Sequence, residues 1–277
     1  MPDVLTLREV QSAELEILVW FDAFCKKHDL DYVLYYGTLL GAVRHQGFIP
    51  WDDDIDVAMP RPDYERLLRL YYDELVSLGD DHLYLLSGER DDEFAFAFAK
   101  ILRRDTEILP ESLLYHNDSD NLWIDIFPID GFPSVEEQPA YLKKLGEYRT
   151  NIGRSITITG TRRGNESRLK SIARIPVALT YNAIGYRKFR DELMALAKSY
   201  PYETSEYVGL ATWNDNSAGL IQPHDAFAKR TILPFEGYEF PVSADYENYL
   251  RNRYGNDYME LPPEDKRESH YIQARMK

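Results

Sequence analysis

One cysteine, Cys25, stands in 277 residues. A single thiol makes no intrachain disulfide and no multi-thiolate zinc site, so a disulfide-stapled scaffold and a zinc ribbon are both excluded. Its residue type and helical surroundings predict a small buried apolar side chain. Positive charge is scarce too: 32 Lys and Arg against 47 Asp and Glu leave a formal net charge of -15. Such a surface repels a phosphate backbone, and no nucleic-acid partner is expected. Long hydrophobic runs are missing; nowhere do ~18 apolar residues follow one another, the length that crosses a bilayer. The opening MPDVLTLREVQSAELE carries acids where a secretory signal has a basic start and an apolar core, so the expected setting is cytoplasmic. Internal repeats and low-complexity tracts are absent as well. What remains is globular in kind, with 44% hydrophobic and 29% charged residues, enough to bury a core in one large domain or two small ones.

The periodicity predicts a mixed α+β chain. From Leu7 to His28 apolar residues recur at helical spacing, with acids early and Lys26, Lys27 and His28 at the end, matching the helix dipole. Tyr32–Tyr35 is strand-like and ends at a Gly37-Thr38 turn. Leu39–His45 then has the composition of a short helix closed by Gln46-Gly47. Ile55–Met59 predicts a second strand, and Asp63–Leu78 a helix after Pro60 and Pro62. Phe94–Ala99 alternates large and small apolar residues with period two, and Leu122–Phe127 carries one acid, Asp125; both read as buried strands. Residues 134–205 read as a mostly helical insertion between a core over 1–133 and a C-terminal part over 206–277 that completes it. Within that last part, Pro234–Tyr238 predicts a hairpin turn and Asp245–Tyr254 a helix.

The densest chemistry lies in Trp51-Asp52-Asp53-Asp54-Ile55-Asp56-Val57. Four carboxylates within five positions repel one another as the chain enters a buried strand. A divalent cation between them relieves that repulsion, and residues two apart on a strand, such as Asp54 and Asp56, face the same way. Three other readings stand beside this one: a solvated acidic loop, an EF-hand, and the Asp-x-Asp metal site of a sugar-nucleotide glycosyltransferase. The EF-hand is disfavoured by Val57 where its loop needs glycine and by Pro60 and Pro62. Upstream, a strand ending in Gly37-Thr38 before a helix presents backbone N–H groups and a hydroxyl to a phosphate. With Asp125 as a third acid on a later strand, a phosphate cradle would face a three-carboxylate metal site.

The stretch from Tyr35 to Val57, YYGTLLGAVRHQGFIPWDDDIDV, resembles the signature of the LicD family, relatives of fukutin within the nucleotidyltransferase superfamily. Trp123–Gly131 and the Tyr254–Pro263 segment with His270 beyond it are also similar to that family. The resemblance implies a nucleotidyltransferase-like mixed sheet flanked by helices. It also implies transfer of a phosphorylated alcohol, phosphocholine or ribitol phosphate, from a CDP-linked donor to a hydroxyl of a cell-surface glycan, lipopolysaccharide or teichoic acid precursor. Its glycine-plus-small-residue turn falls on Gly37 and Thr38, its paired metal acids on Asp54 and Asp56, and its third acid on Asp125. Thr38 stands where many relatives have Ser, which keeps the hydroxyl. The expected ion is Mg²⁺, with Mn²⁺ as a substitute. Asp125 or Asp52 would take the hydroxyl proton.

Lys100 and Arg44 are candidate phosphate-binding cations, each with a surface or helix-terminal role as its alternative. His45, beside Arg44, could also meet a phosphate, with a structural or surface role as the favoured alternative. Trp51 is a candidate for stacking on a base or a choline headgroup, with core packing as the alternative. The 21 tyrosines would suit a choline cage, though many serve the core. His270 and the Tyr254–Pro263 segment would close over the site, on the resemblance alone. A basic rim, Arg162, Arg163, Arg168, Lys170, Arg174, Arg187, Lys188 and Arg190, flanks an apolar stretch. It suits peripheral docking at an anionic membrane face or a lipid-linked acceptor, or equally a buried helix with snorkelling ends. Two further functions stay open: nucleotidyl transfer from an NTP with release of pyrophosphate, and a non-catalytic glycan-binding pseudoenzyme.

Overall fold

The computed structural model describes residues 4–76, 82–109, 120–156, 176, 179–213, 220–264, 267 and 273–277. Helix α1 spans Leu7–His28, the range that the periodicity predicts. Thr6 and Glu9 form a reciprocal capping box at its start, and Asp29, at φ 53°, ends it in the left-handed conformation. Its inner stripe buries Val10, Ile17, Leu18, Phe21 and Cys25.

Along the chain follow β1 (Val33–Leu34), α2 (Tyr36–His45), β2 (Asp56–Pro60), α3 (Arg61–Leu68) with a π turn over Arg69–Asp73, β3 (Leu83–Ser87), β4 (Ala99–Arg103), β5 (Thr106–Ile108) and β6 (Trp123–Phe132). After them come α4 (Gln138–Ile156), α5 (Tyr186–Ala197), β7 (Tyr207–Gly209), β8 (Gln222–Pro223), α6 (His224–Ala228), β9 (Arg230–Phe235), β10 (Tyr238–Ser243), α7 (Tyr246–Tyr254) and β11 (Ala274–Met276). The main sheet runs β1-β2-β6-β4-β3, with β7 on the far half of β6 and β8 beyond it. Among the described residues only β2 and β6 pair in parallel; the other ladders are antiparallel. The fold is thus α+β, a mixed sheet flanked by helices. Ile124, Ile126, Phe127 and Ile129 on β6 are each at most 2% exposed, as expected of a strand covered on both faces.

The structure departs from the sequence reading in several places. Phe94–Phe98 is not a strand; the ladder begins at Ala99. Its period-two pattern puts Phe94, Phe96 and Phe98 in ring contact, at 5.4 Å and 5.3 Å between successive centroids. The Phe94 carbonyl is satisfied by the Arg190 guanidinium instead of a neighbouring strand. Helix α2 begins at Tyr36, so Gly37 and Thr38 lie inside its first turn and not before it. Strand β6 runs on to Phe132, five residues past the predicted end. Helix α3 passes at Leu68 into the π turn, which ends at Asp73; residues 77 and 78 of the predicted helix lie outside the described residues.

The paired helices α4 and α5 send Tyr141, Leu145, Ile152, Phe189, Leu193 and Ala197 into the same core as the sheet. In the expected basic rim, Arg162, Arg163, Arg168, Lys170 and Arg174 lie outside the described residues. Arg190 is buried, donating to the carbonyls of Asp91 and Phe94, and Arg187 pairs with Asp92 at 3.1 Å. No helix among the described residues is long and apolar enough to cross a membrane. The β9–β10 hairpin turns at Glu236 and Gly237, with φ 50° and 80°, the left-handed pair that a two-residue hairpin needs. The Glu236 carboxylate accepts from Arg8 at 2.5 Å and from the Phe48 N–H at 3.2 Å. The turn is thereby fastened to α1 and to the loop before the acidic run.

Candidate active site

The parallel register sets Asp56 on β2 opposite Asp125 on β6, and the antiparallel register sets Lys100 on β4 opposite Asp125. Three strands therefore place two carboxylates and one ammonium in a row. Lys100 Nζ lies 3.8 Å from Asp125 Oδ1, 3.6 Å from the Trp123 ring centroid and 5.5 Å from that of Phe96. Only 3% of Lys100 is exposed; a carboxylate and two aromatic faces hold its charge where water does not. Burial pushes the Asp56 carboxyl well above its ordinary range. Repulsion from Asp54, Asp125 and Asp52 adds to the rise, and Lys100 opposes it.

Helix α2 docks on the start of this row. Tyr36 takes φ 40°, a left-handed conformation rare for a bulky residue, and it turns the chain sharply from β1 into α2. In the first turn, Thr38 Oγ1 accepts the Asp56 backbone N–H at 2.8 Å. A Cβ on Gly37 would stand 2.7 Å from Asp52 Oδ2, so only glycine lets the Asp52 carboxylate lie against this turn. Burial raises the Asp52 carboxyl to about 6. Its backbone is pinned by Gln11 Nε2 at 2.8 Å and by the Ile49 carbonyl at 2.9 Å.

Arg44, at the end of α2, donates to the carbonyls of Tyr258 (3.0 Å) and Glu260 (3.2 Å) and to His45 Nε2 (3.0 Å). It latches the C-terminal segment beside the site. Burial raises the Tyr254 phenol above its usual range, with Asp56, Asp52 and Asp54 adding to the rise, so the end of α7 adjoins the acids. The Trp51 ring is covered by Arg267, 4.8 Å from its centroid, and edged by His45. His270 lies outside the described residues.

Two groups escape the sequence reading. Asp130, on the same strand as Asp125, accepts from Arg61 Nε at 2.6 Å and Nη2 at 3.0 Å and belongs to a buried ion pair. Glu14, on α1, is 2% exposed and electrostatically coupled to Asp54, Asp53, Asp52 and Asp125. Its signal was available: an acid on the apolar stripe of α1, between Val10 and Ile17.

Among the described residues, no three His, Cys, Asp or Glu side chains are gathered tightly enough to cage a metal ion by themselves. Mg²⁺ is ordinarily held by one or two carboxylates together with substrate phosphates and waters. Asp54, Asp56 and Asp125 crowd and repel one another, a charge set that a divalent cation would relieve.

Residues 29–136 match the family described as LicD/FKTN/FKRP, nucleotidyltransferase domain. The whole chain is similar to the lipopolysaccharide cholinephosphotransferase LicD of Haemophilus influenzae, 31% identical over 281 aligned residues that cover 97% of each chain. Shorter matches join it to an uncharacterized protein of Rickettsia typhi, 33% identical over 33% of this chain and 32% of that one. Another, of Rickettsia prowazekii, is 54% identical over 23% of this chain and 22% of that one. The first match spans the acidic row, the latch and the hairpin together, and the chain belongs to the LicD family.

Proposed function

We propose that this protein is a cholinephosphotransferase acting on a cell-surface glycan. In this reading it moves phosphocholine from a CDP-linked donor to a hydroxyl of lipopolysaccharide or a comparable lipid-linked polymer precursor, and releases CMP. The observation that carries the reading is the row Asp56–Asp125–Lys100 under the first turn of α2, in a chain similar over its full length to a lipopolysaccharide cholinephosphotransferase. The cytoplasmic setting expected from the sequence is kept.

Asp54, Asp56 and Asp125 would hold a Mg²⁺ ion, which when bound supplies charge neutralisation at the transferring phosphate. Lys100 adds a fixed positive charge beside Asp125 and needs no reorganisation, because Trp123 and Phe96 already enclose it. The first turn of α2 offers the Thr38 hydroxyl toward a donor phosphate. The acceptor oxygen forms a bond to the distal phosphorus as the pyrophosphate P–O bond breaks and CMP leaves; Asp125 or Asp52 takes the hydroxyl proton.

The test is CMP release from CDP-choline, CDP-ribitol and CDP-glycerol, with Mg²⁺ or EDTA, a glycolipid extract as acceptor and Asp54→Asn as control. Cation-dependent CMP from CDP-choline, absent in the variant, is the expected result. CMP from another donor alone would change the alcohol but keep the reaction. Pyrophosphate release from an NTP with every CDP donor silent would replace the proposal with nucleotidyl transfer.

A further inference from the structure

Glu14 lies on the core-facing stripe of α1, 2% exposed, and its Oε2 makes no hydrogen bond. A buried glutamate ordinarily faces an arginine or a lysine. Here the charged groups that act on it most strongly are Asp54, Asp53, Asp52 and Asp125, all of its own sign. One turn earlier Gln11, 4% exposed, donates Nε2 to the Asp52 carbonyl at 2.8 Å. This face of α1 is therefore fastened to the acidic loop. Leucine or glutamine would fill the space without repulsion. An acid here gains a favourable partner when positive charge is delivered from outside the protein.

We propose that Glu14 is a positioning residue of the cation site, a buried carboxyl on the face of α1 that is fastened to the acidic loop, and that it raises the affinity of the centre for a divalent cation. The inference rests on the reading of the acidic row as a cation site. It adds a helix-borne group to a site otherwise built from β2, β6 and the loop before β2.

The experiment is Mn²⁺ titration followed by electron paramagnetic resonance, on the full chain without donor, at fixed pH. Wild type, Glu14→Gln, Glu14→Asp and Asp56→Asn are compared, with circular dichroism reporting the fold. Wild type is expected to bind and Asp56→Asn to lose binding. Glu14→Gln, folded but uncharged, is expected to bind about tenfold more weakly, and Glu14→Asp, which keeps the charge, within about threefold of wild type. If Glu14→Gln does not fold, Glu14→Asp decides: binding within that range supports the proposal, and a larger loss overturns it. The proposal also fails if Glu14→Gln binds within about twofold of wild type, or if both variants weaken equally, which would make shape and not charge the cause. A wild-type protein that binds no Mn²⁺ overturns the cation reading itself, an outcome separate from the other two.

Discussion

Thr38 Oγ1 accepts the backbone N–H of Asp56 at 2.8 Å, which makes the first turn of α2 and the first residue of β2 a single unit. Both groups are buried, so water does not replace the bond when it is removed. Thr38→Val is expected to destabilise the protein by about 1–3 kcal/mol, the cost of a buried donor left unpaired, while Thr38→Ser stays close to wild type. Urea unfolding measures the difference. Equal stability of the two variants would mean that the bond does not support the site.

Asp56 is crowded by acids that the fold itself brings together. Asp56→Asn removes one member of the repelling set, so in EDTA its melting temperature is expected to stay level or rise by a few degrees. CMP release is expected to fall by about a thousandfold or more, on the scale of lost electrostatic catalysis. Calorimetry paired with the donor assay separates these effects. A variant that melts early and keeps its activity would place Asp56 in the scaffold and not the site.

Gly37 and Gly41, both in α2, differ in what surrounds them. At Gly37 an added Cβ meets the end of the Asp52 side chain at 2.7 Å, whereas at Gly41 it meets the Gly47 backbone carbonyl. A side chain swings away readily; a backbone carbonyl does not. Gly37→Ala is expected to unfold near the wild-type temperature yet lose about tenfold or more in turnover, because Asp52 is displaced. Gly41→Ala is expected to lose about 1–3 kcal/mol of stability, as overpacking does. Thermal melts and CMP release on both variants check the assignment; the reverse pattern would contradict it.

The pH dependence of the cation-free protein follows from the raised carboxyls. Where the folded pKa exceeds the unfolded one, the folded state binds protons more tightly. That stability is complete below the unfolded value and declines as pH rises through the folded one. For Asp52 the window runs from the ordinary carboxylate range up to about 6, and Asp56 and Glu14 have the same sign and extend it upward. Glu9, Asp105 and Glu236 are lowered and act oppositely, losing their contribution only as pH falls below that window. In EDTA the protein is thus expected to melt several degrees higher near pH 5 than near pH 8. Saturating Mg²⁺ should narrow the gap by binding the folded state. A melting temperature that rises steadily with pH in EDTA would show that these carboxyls are not held high.

Local patterns survive folding where local physics decides. The capping box and apolar stripe of α1, the Glu236-Gly237 turn and the acids before β2 are written in short windows of sequence, because helix spacing, left-handed turns and charge repulsion act between near neighbours. Phe94–Phe98 shows where that logic fails. Its alternation is real, but the segment spends its Phe94 carbonyl on Arg190, 96 positions away, and no local rule contains that partner.

The sequence by itself marked the residues proposed to carry the chemistry: Asp54 and Asp56 by their spacing, Gly37 and Thr38 by a small-residue turn expected to open a helix, Asp125 by standing alone in an apolar strand. The tertiary structure decided which of them meet. The register of three strands sets Lys100 and Asp56 against Asp125, puts Asp130 five residues along the same strand into an ion pair with Arg61, and leaves Arg44 latching the C-terminal segment. The packing of α1 buries Glu14 on the helix face that Gln11 fastens to the acidic loop. Strand register and helix packing are settled by burying the whole core at once, and that is a property no window of the chain contains.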